Sequence, residues 1–368
     1  MFQAFLLAVL ANLTMAHQDS LSLIHLVFRH GERTPASTYP NDPYINDTFS
    51  PYGWGQLTNE GKMHQYKLGQ WLRKRYGHFL GDQFNSDQVF AMSTDVDRTK
   101  ASCQYMFAGL FPPKGPQIWN KNLLWQAVPL NYQHLKQDRL LLVRGCPKYS
   151  ESLEEALKNK TIQDKIKSYE QLYTYLTNHT GVTVKTPWDV EDIYSTLKAE
   201  EGLNYKLPEW TKSVYPDKMK EVTAYSFELN VCSKELKKIK GGPLLKKILD
   251  DSKAKVEGKT KMKMYNYAGH DSTVANLMQA MNVWNGEVPG FNCLIMIELH
   301  DLKTYHGLKV FLKKSINEEP RELVIPGCES PCPLDKAYQT FAPMLPNNLD
   351  TLCKPKNQKF VPTKDAQP

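Results

Sequence analysis

The chain has 368 residues, 41% of them hydrophobic and 23% charged, and a formal net charge of +7. This balance excludes a disordered or low-complexity chain, and the length suffices for one large core or two modest ones. The positive charge is spread out, and its one concentration, residues 233–263, alternates lysine with Leu and Ile at helical spacing without interleaved aromatics, the pattern of a solvated helix face and not of a nucleic-acid surface.

Residues 1–16 (MFQAFLLAVLANLTMA) are an apolar stretch ending on a small residue, with no basic segment before it. Followed by the polar His17-Gln18-Asp19-Ser20, they read as a cleaved signal peptide, a short buried helix being the alternative. No later run of about twenty apolar residues occurs, so no membrane anchor is expected, and the mature chain is expected to be secreted and extracellular. Sequons for N-glycosylation at Asn46, Asn159 and Asn178 fit export, although such triplets also arise by chance; the one at Asn12 falls inside the signal and does not count.

Residues 22–28 form a continuous apolar run, as in a strand buried on both faces of a parallel sheet. A helix is predicted over 57–77, with Thr58 as cap and Gly77 as stop, then a strand at 88–94 and a helix from Asp95 to Leu110 that ends ahead of Pro112-Pro113. Residues 121–225 are richer in charge and helical patterning and read as an insertion. Alternation resumes with KMYNYAGHD as strand and turn, a helix from Ser272 to Met281, and the strands CLIMIELH and GLKVFLKK. The fold class expected is α/β: a doubly wound, mostly parallel sheet with helices on both faces (17–120 and 226–368), plus a smaller, mainly helical inserted cap (121–225). Ligands bind such sheets outside the carboxyl ends of the strands.

Seven cysteines, an odd number, leave at least one unpaired or paired between chains. Cys328 and Cys332 lie in the loop PGCESPCPL, which could close on itself, while Cys146 and Cys353 sit in turn-like contexts that suit a long-range bridge in an oxidising compartment. Cys103 and Cys293 have apolar surroundings and read as buried thiols. Cys232 stays open.

No G-x-S-x-G elbow and no H-E-x-x-H motif occurs, and GQLTNEGKM (55–63) has five residues where a P-loop has four. Titratable residues instead follow predicted strands at three places: Arg29-His30-Gly31-Glu32-Arg33, Ser93-Thr94-Asp95-Val96-Asp97-Arg98 and Gly269-His270-Asp271. Three arginines gathered there can fork onto a tetrahedral dianion, so the ligand expected is phosphate-like. Helix starts near 31–35, 95 and 271 would add backbone donors, and Gly31 and Gly269 would permit tight turns. Positive neighbours favour neutral imidazole in His30, a nucleophile, whereas a bound phosphate dianion pushes the other way.

RHGERTP resembles the RHGxRxP signature of the histidine acid phosphatases, and STDVDRT and AGHD resemble that family's two other active-site segments. The similarity extends over most of the chain, including GGPLL and IPGCESPCPL, and is greatest toward the branch with secreted insect venom acid phosphatase. It implies a phosphoglycerate-mutase-like fold and a phosphoric monoester hydrolase. His30 would attack phosphorus to form a phosphohistidine, Arg29, Arg33, Arg98 and His270 would hold the phosphate oxygens, and Asp271 would protonate the leaving alcohol. The resemblance further implies disulfides Cys146–Cys353 and Cys328–Cys332, no metal or other cofactor, a small phosphomonoester or phosphoprotein as substrate, and, by analogy alone, a homodimer.

Each role has a plainer alternative. His30 could be a core histidine on a backbone carbonyl, Arg98 could pair with Asp95, and His270 with Asp271 could be purely structural. Asp271 poses a difficulty of its own, since nearby arginines depress a carboxylate's pKa while a general acid must carry a proton. The rival function from another class is a non-catalytic secreted protein binding a small ligand in the same cleft. Within the family, an inositol-hexakisphosphate hydrolase is disfavoured because such enzymes are usually longer and richer in cysteine.

Overall fold

The computed structural model of the protein describes residues 20–360, so the segment read as a signal peptide lies outside the described residues. Strand β1 (Leu21–Arg29) is buried along nearly its whole length, as its mainly apolar sequence, broken only by Ser22 and His25 before Arg29, favours. Its side chains alternate: Leu23 and Val27 enter one core, Ile24, Leu26 and Phe28 the other.

Helix α1 (Asn59–Leu80) starts where expected, the Gly61 N–H donating to Thr58 Oγ1, but runs through Gly77. It stops at Gly81, whose positive φ of 78° glycine adopts at no steric cost. Strand β2 (Val89–Thr94) and helix α2 (Asp97–Leu110) follow. Strand β3 (Asn131–Gln133), within the stretch expected to be helical, pairs in parallel with β2 at the sheet edge. Then come α3 (Pro147–Leu157), α4 (Lys160–Lys167), α5 (Glu170–Thr180), α6 (Pro187–Gly202), α7 (Asp217–Leu229), α8 (Lys234–Lys240) and α9 (Gly242–Val256). The chain returns to the sheet with β4 (Met264–Gly269), α10 (Asp271–Ala280), β5 (Leu294–Asp301), β6 (His306–Lys313), β7 (Arg321–Leu323), β8 (Cys332–Pro333) and α11 (Leu334–Phe341).

The fold is α/β, with strand order β3-β2-β4-β1-β5-β6-β7 and β8 beside β6. Pairings are parallel from β3 to β1 and antiparallel from β1 to β7, so the sheet is mixed and only its first half is parallel. Between β5 and β6 the cause is chain length, since the short turn that joins them permits only a hairpin, whereas β1, β2 and β4 are separated by helices. Helices α1 and α2 cover one face with Leu68, Leu72, Met106 and Phe107; α9, α10 and α11 cover the other with Leu245, Ile248, Val274 and Phe341. A third core, with Leu176, Val190, Ile193, Leu197 and Met219, joins α5, α6 and α7 and takes in Tyr39 from the loop after β1.

Cys146 is bonded to Cys353, 207 residues away, and Cys328 to Cys332. Cys103 and Cys293 are buried thiols; Cys232 is an exposed one. Within the lysine-rich stretch Lys240 is buried, its Nζ donating to the Leu142 carbonyl over the Tyr149 ring.

Helix α6 also buries a carboxyl, Glu200, against Asp42 of the loop after β1. Burial first, and the charge of Asp42 second, push the Glu200 carboxyl up from 4.5 to about 8. Between those values the unfolded chain releases a proton that the folded chain keeps, so the stability this group supplies is complete below pH 4.5 and is lost as pH rises through about 8. Glu200→Gln, which cannot ionise, is therefore expected to raise Tm by a few degrees at pH 8 and to change it little at pH 4.5. Thermal denaturation at the two pH values measures this, and an equal shift at both would contradict it.

Candidate active site

Parallel pairing brings the three flagged segments together. Arg29 stands in register with Gly269 and Ser93 with Ala268, so His30, Thr94 and His270 leave neighbouring strands at the same sheet edge. Helices start there at Asp97 and Asp271, but residues 31–35 form no helix; they turn and make a single bridge, Arg33 to Leu57. Close packing explains the turn. A Cβ on Gly31 would lie 2.5 Å from the Gly61 carbonyl oxygen, and one on Gly269 would lie 2.6 Å from Thr273 Oγ1. Glu32 is drawn away, accepting from Asn292 Nδ2 at 3.0 Å and bonding His64 Nδ1 at 2.9 Å.

His30 makes two ring hydrogen bonds: Nδ1 to the Gly31 carbonyl at 2.8 Å and Nε2 to Arg98 Nε at 3.0 Å. A carbonyl only accepts and a guanidinium N–H only donates, so the proton sits on Nδ1 and Nε2 presents its lone pair. The ring is neutral in this arrangement. Burial, followed by Arg98, Arg29, His270 and Arg33, holds its pKa well below the usual histidine range. The arginines contribute as the sequence suggests, but burial is the larger cause.

Arg29 stacks its guanidinium 4.3 Å over the Phe291 ring, donates to the Pro289 carbonyl at 2.6 Å and pairs with Asp271 Oδ2 at 2.8 Å. Arg33 donates to the Thr34 carbonyl at 2.9 Å and to Ser195 Oγ on α6 at 2.6 Å. Arg29 Nε and Arg33 Nε are buried without a hydrogen-bond partner among the described residues. His270 Nε2 bonds Thr94 Oγ1 at 2.9 Å, and burial first, then Arg98, lowers its pKa to about 3. Asp271 accepts from its neighbour's N–H, Ser272, at 2.8 Å. Burial alone would raise its carboxyl, but Arg29, His270 and the Ser272 N–H outweigh it and hold the group below the usual aspartate range.

The plainer alternatives can be set against these contacts: His30 does bond a backbone carbonyl, that of Gly31. Asp95 is bound by Lys100, leaving Arg98 to His30. His270 is held by Thr94 and Asp271 by Arg29, so the two do not form a closed pair. Phe291 and Ser195 join these side chains without having been singled out in sequence, and Thr94 lay in a flagged segment without a role. Thr94 could have been found as the last residue of its strand; Phe291 and Ser195 carry no local signal. The six flagged side chains thus share one strongly cationic cleft with a single carboxylate in the ion pair, able to hold a dianion beside an uncharged nitrogen nucleophile.

Residues 20–292 match the model of the histidine phosphatase superfamily (branch 2). The chain belongs to that family. It is 36% identical to the venom acid phosphatase of Apis mellifera over 96% of its own length and 92% of that protein's. Identity is 35% to the prostatic acid phosphatase of Rattus norvegicus (95% and 93% of the two chains) and 32% to the lysosomal acid phosphatase of Homo sapiens (91% and 80%). Among solved structures, the Citrobacter braakii phytase superposes with a TM-score of 0.66 at 16% identity, covering 91% of this chain and 99% of the other, which shows the shared histidine phosphatase fold. As a member of this family with such relatives, the protein is an acid phosphatase.

Proposed function

We propose that the protein is an exported enzyme that hydrolyses small phosphate monoesters to alcohol and inorganic phosphate through a phosphohistidine. The observation that carries the reading is the pair of hydrogen bonds leaving His30 Nε2 unprotonated inside a ring of guanidinium groups. In the first half-reaction the Nε2 lone pair bonds phosphorus as the ester P–O bond breaks, and Asp271 gives its proton to the departing oxygen. In the second, water attacks the phosphorus, its proton passes to Asp271, and the P–N bond breaks to release phosphate. Arg29, Arg33, Arg98 and His270 bind the non-bridging oxygens and balance the charge that builds on them. The partnerless Nε donors of Arg29 and Arg33 favour an oxygen-rich ligand, because buried donors call for acceptors. Arg29 keeps Asp271 ionised in the free cleft, and a dianion arriving beside it raises its proton affinity, which is how a depressed carboxyl can serve as an acid. The reading invokes no metal and no cofactor.

Export is supported by the apolar residues 1–16, by the exposure of Asn46, Asn159 and Asn178 in their sequons, and by the two disulfides. Among the described residues no helix is long and apolar enough to cross a membrane. N-terminal sequencing of the protein collected from the medium of expressing cells is expected to begin at His17; Met1 as first residue would contradict cleavage.

Hydrolysis of a chromogenic aryl phosphate at about pH 5 tests the nucleophile. His30→Ala is expected to lower kcat by about a thousandfold or more. Acid-free rapid quenching with labelled substrate should place phosphate on the peptide containing residue 30, and equal rates for variant and wild type, or label elsewhere, would overturn the assignment.

A further inference from the structure

Thr94 closes strand β2, and its hydroxyl meets two side chains, His270 Nε2 at 2.9 Å and Thr99 Oγ1 at 2.8 Å. Thr99, in the first turn of α2, has its own hydroxyl 2.7 Å from the Val96 carbonyl and 3.1 Å from that of Thr94. Both threonines are fully buried. A hydroxyl has one hydrogen and a carbonyl can only accept it, so the Thr99 hydrogen goes to a carbonyl and its oxygen is left to accept from Thr94. The Thr94 hydrogen is then committed to Thr99. What remains for His270 is a lone pair on Thr94, and the 2.9 Å contact is a hydrogen bond only when Nε2 carries the proton.

His30 holds the opposite tautomer. The same turn of α2 that sets Thr99 against Thr94 brings Arg98 to His30 Nε2, where the guanidinium takes the lone pair. The two rings stand edge to face with centroids 5.5 Å apart, one with a bare Nε2 and the other with a protonated one. Burial, and Arg98 after it, keep the His270 ring uncharged, so it has a single donor to offer.

We propose that Thr94 is a positioning residue of the phosphate site: it holds the His270 proton on Nε2, so that the neutral ring meets a phosphate oxygen with a donor instead of a lone pair. The inference rests on the phosphomonoesterase reading of the cleft. In the free cleft Thr94 accepts this hydrogen; a phosphate oxygen, carrying charge, is the stronger acceptor and draws it away. Thr94 takes no part in bond making at phosphorus or in proton transfer to the leaving group, so its loss weakens the hold on the anion, an effect on KM.

The test compares Thr94→Val, which keeps the branched side chain without the hydroxyl, with Thr94→Ser, which keeps the hydroxyl without the methyl. With an aryl phosphate at about pH 5, Thr94→Val is expected to raise KM and the inhibition constant of inorganic phosphate by about tenfold, with kcat changed less, and Thr94→Ser to stay within about threefold of wild type in both. A role in packing alone gives the reverse order, with valine harmless and serine impaired. That order, equal effects of the two variants, or a change carried by kcat alone overturns the inference while leaving the phosphatase reading intact. Wild type that fails to hydrolyse the ester at any pH overturns both. Nitrogen-15 NMR of histidine-labelled wild type, with the His270 signals assigned by their loss in His270→Gln, needs no active variant: a protonated Nε2 and a bare Nδ1 are expected, and a proton on Nδ1 overturns the proposal even should Thr94→Val not fold.

Discussion

Two hydrogen bonds on one imidazole decide what this cleft can do. Because Gly31 offers His30 only an acceptor and Arg98 only a donor, the ring can satisfy both only as the neutral Nδ1–H tautomer. Everything around it serves that state. Parallel register between β1 and β4 sets His30 beside His270, the Gly31–Gly61 contact locks the turn that carries the acceptor, and the start of α2 delivers Arg98. The guanidinium bonded to that nitrogen is one of those proposed to hold the phosphate, so in the proposed mechanism nucleophile and electrophile are oriented by shared groups.

A cleft of this kind sets opposing demands on pH. His25 and His270 are held neutral down to about 3, chiefly by burial, against an ordinary value of 6.5. In that interval the unfolded chain binds protons that the folded chain refuses, so stability falls as pH drops from about 6.5 toward 3. The buried carboxyl of Glu200 and the half-buried one of Glu191 work the other way, costing stability as pH rises from 4.5 through about 8. The two classes offset each other between pH 4.5 and 6.5 and so bracket a mildly acidic window from opposite sides. In the proposed mechanism Asp271 adds a functional pull toward acid, since its partner Arg29 keeps the free carboxyl ionised and low pH helps it to hold the proton given to the leaving alcohol.

Legibility in the sequence followed the range of the interactions involved. The strands β1, β4 and β5 were legible as mainly apolar segments of strand length, and the titratable residues just past the ends of β1, β2 and β4 pointed to one sheet edge. Family resemblance in three short motifs added the roles and the two disulfides. What failed to show was set by contacts distant in sequence. Arg33 finds Ser195, Gln65 ties the Arg29 carbonyl to Asn292, and Phe291 underlies Arg29; none has a periodicity or a spacing to betray it. Helix stops illustrate the same point locally, since Gly77 and Gly81 are both candidates and only the geometry of the last turn selects the second. The β5–β6 hairpin depended on the length of the connection between the two strands.

The central claim is the protonation state of one ring, and nitrogen-15 NMR of histidine-labelled protein reads it directly. The His30 resonances, assigned by their absence in a His30→Gln variant, should show a protonated Nδ1 and a bare Nε2, unchanged from pH 7 down to about pH 4.5. A ring that titrates near 6.5, or one that carries its proton on Nε2, would contradict the account.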